Sequence, residues 1–203
     1  MKRIITLIAA AVMMTVATNS FAQLSVGAGY LHAGDQITLQ GISDPFEVGM
    51  NGAYAGFSYN LPISDLIGIA PGLYYSLLMC DDSFEDIPGT DIKIREHFVN
   101  VPVYFNLGFN VGANSRLFLF AGPTVQLGVA SKTTYPALST THDNYKDNDY
   151  SRTNVLLGGG LGLNLGRFQI TAGYDHGMFN LDKSGDGTKR IKRYAKAGVA
   201  YRF

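Results

Sequence analysis

The chain has 203 residues, 16 Lys and Arg against 16 Asp and Glu, 46% apolar residues, 24 glycines, one cysteine and no tryptophan. Balanced charge leaves no basic surface for nucleic acid, and Cys80 has no second cysteine for an internal disulfide and no neighbouring His for a zinc site or an activated thiolate. No segment sustains a 3.6-residue apolar period, which excludes the helical classes.

Lys2 and Arg3 begin the chain, an apolar run follows from Ile4 to Ala17, and Ser20 and Ala22 stand at the small-residue positions before a signal-peptidase cut. That run is shorter than the roughly 20 residues a spanning helix needs. Residues 1–22 are therefore expected to be a signal peptide and residues 23–203 the one mature domain. Without Lys2 and Arg3, 14 cations face 16 anions, a formal charge of −2.

Eight strand-like segments follow, at about 24–32, 52–61, 67–79, 93–109, 116–130, 153–165, 167–176 and 192–203. In the sixth, Val155, Leu157, Leu161, Leu163 and Leu165 share a face opposite Asn154, Gly158, Gly160, Gly162 and Asn164. In the seventh, Phe168, Ile170, Ala172 and Tyr174 oppose Gln169, Thr171, Gly173 and Asp175. The eighth sets Ala195, Ala197, Val199, Tyr201 and Phe203 against Lys192, Tyr194, Lys196, Gly198, Ala200 and Arg202. Period-2 alternation of this kind marks strands between two different environments. Pro71, Pro102 and Pro123 fall inside segments, where each removes a ladder donor, so bulges or register breaks are expected beside them.

The connections alternate in length. "PISD", "VGANS" and "GR" are tight turns, whereas 33–51, 80–92, 131–152 and 177–191 are long and polar. An even strand count puts both termini and all short turns on one side, the pattern of an outer-membrane barrel with short periplasmic turns and long surface loops. A soluble fold would bury Lys196, Arg202, Gln169 and Asp175 and leave the leucine face of the sixth segment open to water, and both are costly. With lipid outside, Val199, Tyr201 and Phe203 face acyl chains, and Tyr30, Tyr59, Tyr174 and Tyr201 suit an interfacial girdle. The fold expected is all-β, an eight-stranded antiparallel up-and-down transmembrane barrel.

"HFVNVPVYFNLGF", "RLFLFAGPTVQLGVA", "GGGLGLNLGRFQITAGYDHGMFNL" and the "VAYRF" terminus resemble the outer-membrane β-barrel family that includes PorT-like proteins and, more distantly, the OmpX and OmpA barrels. Val101–Pro102, Ala121–Pro123 and the turn at Gly166 and Arg167 carry the resemblance most specifically, and it covers nearly all of 23–203. It implies an envelope location, and that Phe203, with Tyr201 and Val199, is an assembly signal read by the barrel-assembly machinery.

Several side-chain groups invite a function. Glu96, Gln169, Asp175, Lys196 and Arg202 are expected to form a lumenal polar network in which carboxylates offset Lys196 and Arg202, with Phe98, Phe118 and Phe120 helping to plug the interior. Lys93, Arg95, Lys189, Arg190 and Arg193 gather at outer strand ends, where arginine suits lipopolysaccharide phosphates. His32 near Asp35, the Asp81–Asp82 pair and the adjacent Asp175 and His176 are the catalytic candidates; neighbours on one strand point to opposite faces, so the last two are not expected to act together. "DKSGDG" has calcium-loop spacing at Asp182, Ser184, Asp186 and Gly187, but Arg193 stands where a bidentate Glu belongs, and "DNYKDND" offers Asp143, Asp147 and Asp149 without the turn glycine. No metal, cofactor or enzymatic activity is expected. The expected function is structural or surface-interacting, as a monomer in outer-membrane lipid with lipopolysaccharide, periplasmic termini and a largely plugged lumen. A small passive channel is the alternative, with a rim hydrolase or acyltransferase behind it. Eight strands favour the plugged reading because side chains largely fill so narrow an interior.

Overall fold

The computed structural model describes residues 23–41, 45–82, 92–146, 150–183 and 187–203. The expected signal peptide lies outside the described residues. Nine strands are described: β1 (Gln23–Thr38), β2 (Phe46–Pro62), β3 (Ile67–Asp82), β4 (Ile92–Gly112), β5 (Ser115–Tyr135), β6 (Thr140–Asp143), β7 (Thr153–Leu165), β8 (Phe168–Gly177) and β9 (Lys189–Arg202). Eight of them close a ring: consecutive strands pair antiparallel, β7 pairs directly with β5, and β9 returns to β1. The short β6 pairs only with the outer end of β5 and stands outside the ring.

The strands run further outward than the alternation suggests. β1 continues to Thr38 with Ile37 paired to Phe46, and β9 begins at Lys189, so much of the expected loop 33–51 and the end of the expected loop 177–191 are ladder. Asp35, Arg190 and Lys192 occupy inward positions there, and polar residues on both faces erase the contrast that marks a strand elsewhere.

Burial is inverted relative to a soluble protein. Asp35 and Lys192 are 0% and 2% exposed, whereas Leu161 and Val199 are 55% and 61% exposed. Such a surface is stable only against acyl chains, where the exposed apolar band meets a solvent of its own polarity. Tyr30, Tyr75 and Tyr174 sit outward near the loop end, and Tyr59, Phe168, Tyr201 and Phe203 near the turn end, as two interfacial rings. Arg167 Nη1 donates to Tyr201 Oη at 2.9 Å, and the Tyr201 ring meets Phe168 and Phe203 edge-on.

Inside, glycines stand opposite rings. A Cβ at Gly162 would collide with the Phe118 ring and one at Gly160 with Phe120, so small and large residues alternate across a lumen too narrow for both. The prolines interrupt pairing without shifting it. Pairs are missing beside Pro71 and between Pro102 and Phe105, yet the register is the same on both sides of each gap, because each strand is held by two neighbours. The register shifts lie elsewhere, at His97/Phe98 opposite β5 and at the β4–β5 turn. The first matters for the interior: one extra residue in β5 after Gly128 reverses its facing, turning Ser131 and Thr133 inward.

Candidate functional site

The outer half of the lumen is filled by two ion pairs. Arg190 Nε donates to Asp35 Oδ2 at 2.6 Å, and Arg190 Nη2 reaches the same oxygen. Lys192 Nζ binds Glu96 and lies 3.5 Å from Asp35, so two cations and two carboxylates form one neutral cluster. Ser131 Oγ adds a hydrogen bond to Glu96 at 3.1 Å, which the β5 bulge makes possible. Below, Tyr194 donates to Gln126 Oε1 at 2.9 Å among Met50, Leu78 and Phe98, all buried.

Loop residues cover the cluster. Asn144 Nδ2 donates to Ser131 Oγ and Thr133 Oγ1, and Tyr145 fills the space left by Gly128. The Arg190 guanidinium lies 4.0 Å from the Tyr150 ring centroid. Burial, and next the nearby Glu96 carboxylate, push the Tyr145 hydroxyl above its ordinary value.

At mid-height Lys196 Nζ sits 2.5 Å from Asp175 Oδ2 and 2.6 Å from Tyr104 Oη. The inner half, from this level to the turn end, is a cavity of about 300 Å³. Gln169 donates to Asn164 at 3.0 Å near its mouth, and Arg202 donates to the Gln23 amide. The residues expected to form one network thus lie on three levels: Glu96 outermost with Lys192, Asp175 and Lys196 in the middle, Gln169 and Arg202 at the mouth. Arg202 meets no carboxylate among the described residues, contrary to the expected compensation, because the acidic side chains lie at the middle and outer levels. Asp35 and Lys192, central to the outer cluster, were not among the expected network residues. Extending the period of β1 past Ala33 would have found Asp35.

The basic residues divide. Lys93, Arg95, Lys189 and Arg193 are on the outward face at the loop end; Arg95 lies 3.4 Å from Asp81, and Arg193 donates to Gln36. Arg190 does not join them. It takes the inward parity of Lys192 and Lys196 and is 6% exposed against Asp35, so it is a lumenal residue rather than a rim contact.

The catalytic candidates are separated. Asp175 points inward and His176 outward, and Asp35 is inward while His32 Nδ1 lies 2.8 Å from Asn51 Oδ1 on the outer surface. Among the described residues, no group of three His, Cys, Asp or Glu gathers to hold a metal. Asp147, Asp149, Ser184 and Asp186 lie outside the described residues.

Comparison with known proteins agrees with this architecture. Ail, the attachment invasion locus protein of Yersinia pestis crystallised with the heparin analogue sucrose octasulfate, is 16% identical with TM-score 0.50, over 90% of this chain and 99% of that one. Neisserial surface protein A is 16% identical at TM-score 0.48, covering 89% and 97%. The outer membrane enzyme PagL is 14% identical at TM-score 0.46, covering 87% and 97%. No curated protein matches the sequence. Residues 17–183 match the family described as Outer membrane protein beta-barrel domain. The chain belongs to that family, and the protein is an integral outer-membrane β-barrel.

Proposed function

We propose that the protein is a structural or surface-interaction barrel that does not conduct, and that its role lies in what its outer rim and loops meet. The filled outer lumen carries this reading: among the described residues the Asp35–Arg190–Lys192–Glu96 cluster and its cover of Asn144, Tyr145 and Tyr150 occupy the outer half, and the cavity of about 300 Å³ lies in the inner half. An ion crossing the barrel would have to separate buried pairs, and opposite charges taken out of water part at large cost. Purified protein in planar bilayers should therefore give no stable conductance. Large, long-lived conductance steps would support the passive-channel reading instead.

The turn end with both termini faces the periplasm in this reading, and the loops face out. The closed ring has no free sheet edge, which favours a monomer. Lys93, Arg95, Lys189 and Arg193 then stand at the level of the outer-leaflet head groups, placed to meet lipopolysaccharide phosphates.

Phe203, beside Tyr201 and Val199, acts in assembly: the barrel-assembly machinery reads it before the last strand pairs. Phe203 is 70% exposed, so its ring contributes little packing. Phe203→Ala should lower heat-modifiable folded protein in envelopes and leave refolding in detergent unchanged. Equal losses in both would assign Phe203 to packing.

A further inference from the structure

We propose that the inner half of the lumen is a binding pocket for a small organic anion, its oxyanion head held between Arg116 and Arg202 and a ring-sized, hydroxyl-bearing body reaching inward toward Tyr54, Tyr74 and Phe118.

The cavity of about 300 Å³ is at the small end of ligand sites and has room for about ten waters. It opens at the turn end and stops at mid-height, where Tyr194 and Gln126 join across the barrel. Its charges are balanced in depth but not at the mouth. Lys196 has Asp175, whereas Arg116 and Arg202 line the same cavity and neither forms an ion pair among the described residues. Among the described residues, the Arg202 guanidinium donates to the neutral amide of Gln23. Two guanidiniums of like charge thus share one cavity. Gly108 makes room for this arrangement, since a Cβ there would overlap the Arg116 guanidinium.

Two half-buried like charges gain most from a shared counter-ion, and a carboxylate or phosphate presents oxygens to both planar forks through charge-assisted bonds. Beside the guanidiniums Gln169 donates to Asn164, the β7 partner of Arg116, at 3.0 Å, and Asn106 donates to Asn60 at 3.1 Å. Each amide pair keeps further donors and acceptors for hydroxyl groups. Deeper, Tyr54 and Tyr74 meet edge-on with ring centroids 5.8 Å apart, an aromatic wall for the face of a ring. Guanidiniums and amides at the mouth with an aromatic wall deeper fit an acidic monosaccharide. The pocket goes beyond the surface role, because neither loops nor outer rim take part in it.

Titration calorimetry on the folded protein in a polyoxyethylene detergent, which carries neither sugar nor charge, tests this with four probes: glucose 6-phosphate, glucuronate, glucose and inorganic phosphate. At least one sugar anion should bind saturably, about tenfold or more tighter than glucose and than inorganic phosphate. Binding of glucose 6-phosphate alone would identify the head as phosphate, of glucuronate alone as carboxylate, and of both as either oxyanion. Arg116→Gln with Arg202→Gln should weaken that binding at least about tenfold. Sugar anions no tighter than glucose on the wild-type protein would overturn the proposal, whether or not the variant folds. So would inorganic phosphate binding as tightly as the tighter-binding of the two sugar anions, or a folded double variant with unchanged affinity for that anion. Conductance and binding are separate readouts, so failure of the closed-lumen reading is distinguishable from failure of this one.

Discussion

Lys192→Met should destabilise the barrel by about 3–5 kcal/mol, the cost of leaving a buried carboxylate without its partner. The Lys192 and Glu96 side chains are each 2% exposed, so no water replaces the lost ammonium. Asp35 lies 3.5 Å from the same Nζ and would share the loss, keeping only Arg190. Removing both partners with Glu96→Leu and Lys192→Met should cost less than Lys192→Met alone, because the Asp35–Arg190 pair is then left neutral and intact. Urea unfolding in lipid vesicles, followed by heat-modifiable electrophoresis, gives the three stabilities for a double-mutant cycle. A double variant as unstable as the sum of the singles would mean that the two residues act independently. The corresponding loss at Lys196 should be smaller for Asp175→Asn, since Tyr104 Oη still accepts from the ammonium at 2.6 Å.

Gly52→Val should abolish folding, the largest single-residue effect expected. Gly52 is an inward position of β2 paired with Leu78, and a Cβ there would overlap the Leu77 carbonyl and crowd the Leu78 backbone. Backbone of a closed ring cannot step aside without breaking its ladder, so the cost exceeds the roughly 1–3 kcal/mol of ordinary overpacking. Gly49, three residues earlier on the outward face, is the control. A Cβ there meets only the His32 ring, at 3.6 Å, and Gly49→Val should fold as wild type or better because valine suits an extended backbone. Folded Gly52→Val at wild-type yield would show that strand spacing there is looser than described.

The alternation of β7, β8 and β9 was enough to read strands and their facing from the sequence, because there leucine and valine alternate with glycine and amide, while barrel and turn end were read from the alternating lengths of the connections. The outer ends were not legible by the same signal. Asp35, Arg190 and Lys192 are polar residues facing inward at levels where the outward face also carries Gln36, Lys189 and Arg193, so the period persists while its contrast vanishes. The β5 bulge is equally silent: nothing in "QLGVASKTT" states that the facing reverses after Gly128, yet that reversal brings Ser131 to Glu96. Proline was legible as a missing donor but misleading as a register break, since each strand of a ring is held from both sides. The pairing of Asp175 with Lys196 followed from their inward parity on neighbouring strands. The isolation of Arg202 and Arg116 at the mouth needed the strand stagger, which one-dimensional parity does not contain.

Whether the wall separates lipid from a polar interior is measured most directly by spin labels at single cysteines in a Cys80→Ala background, with the protein in bilayers. Labels replacing Val199 and Leu161 should be relaxed by dissolved oxygen, which partitions into lipid. Labels replacing Ala200 and Asn164 should be relaxed instead by a water-soluble nickel chelate. Nickel accessibility at Val199 and Leu161 equal to or above that at Ala200 would place the leucine face in water and contradict the barrel described here.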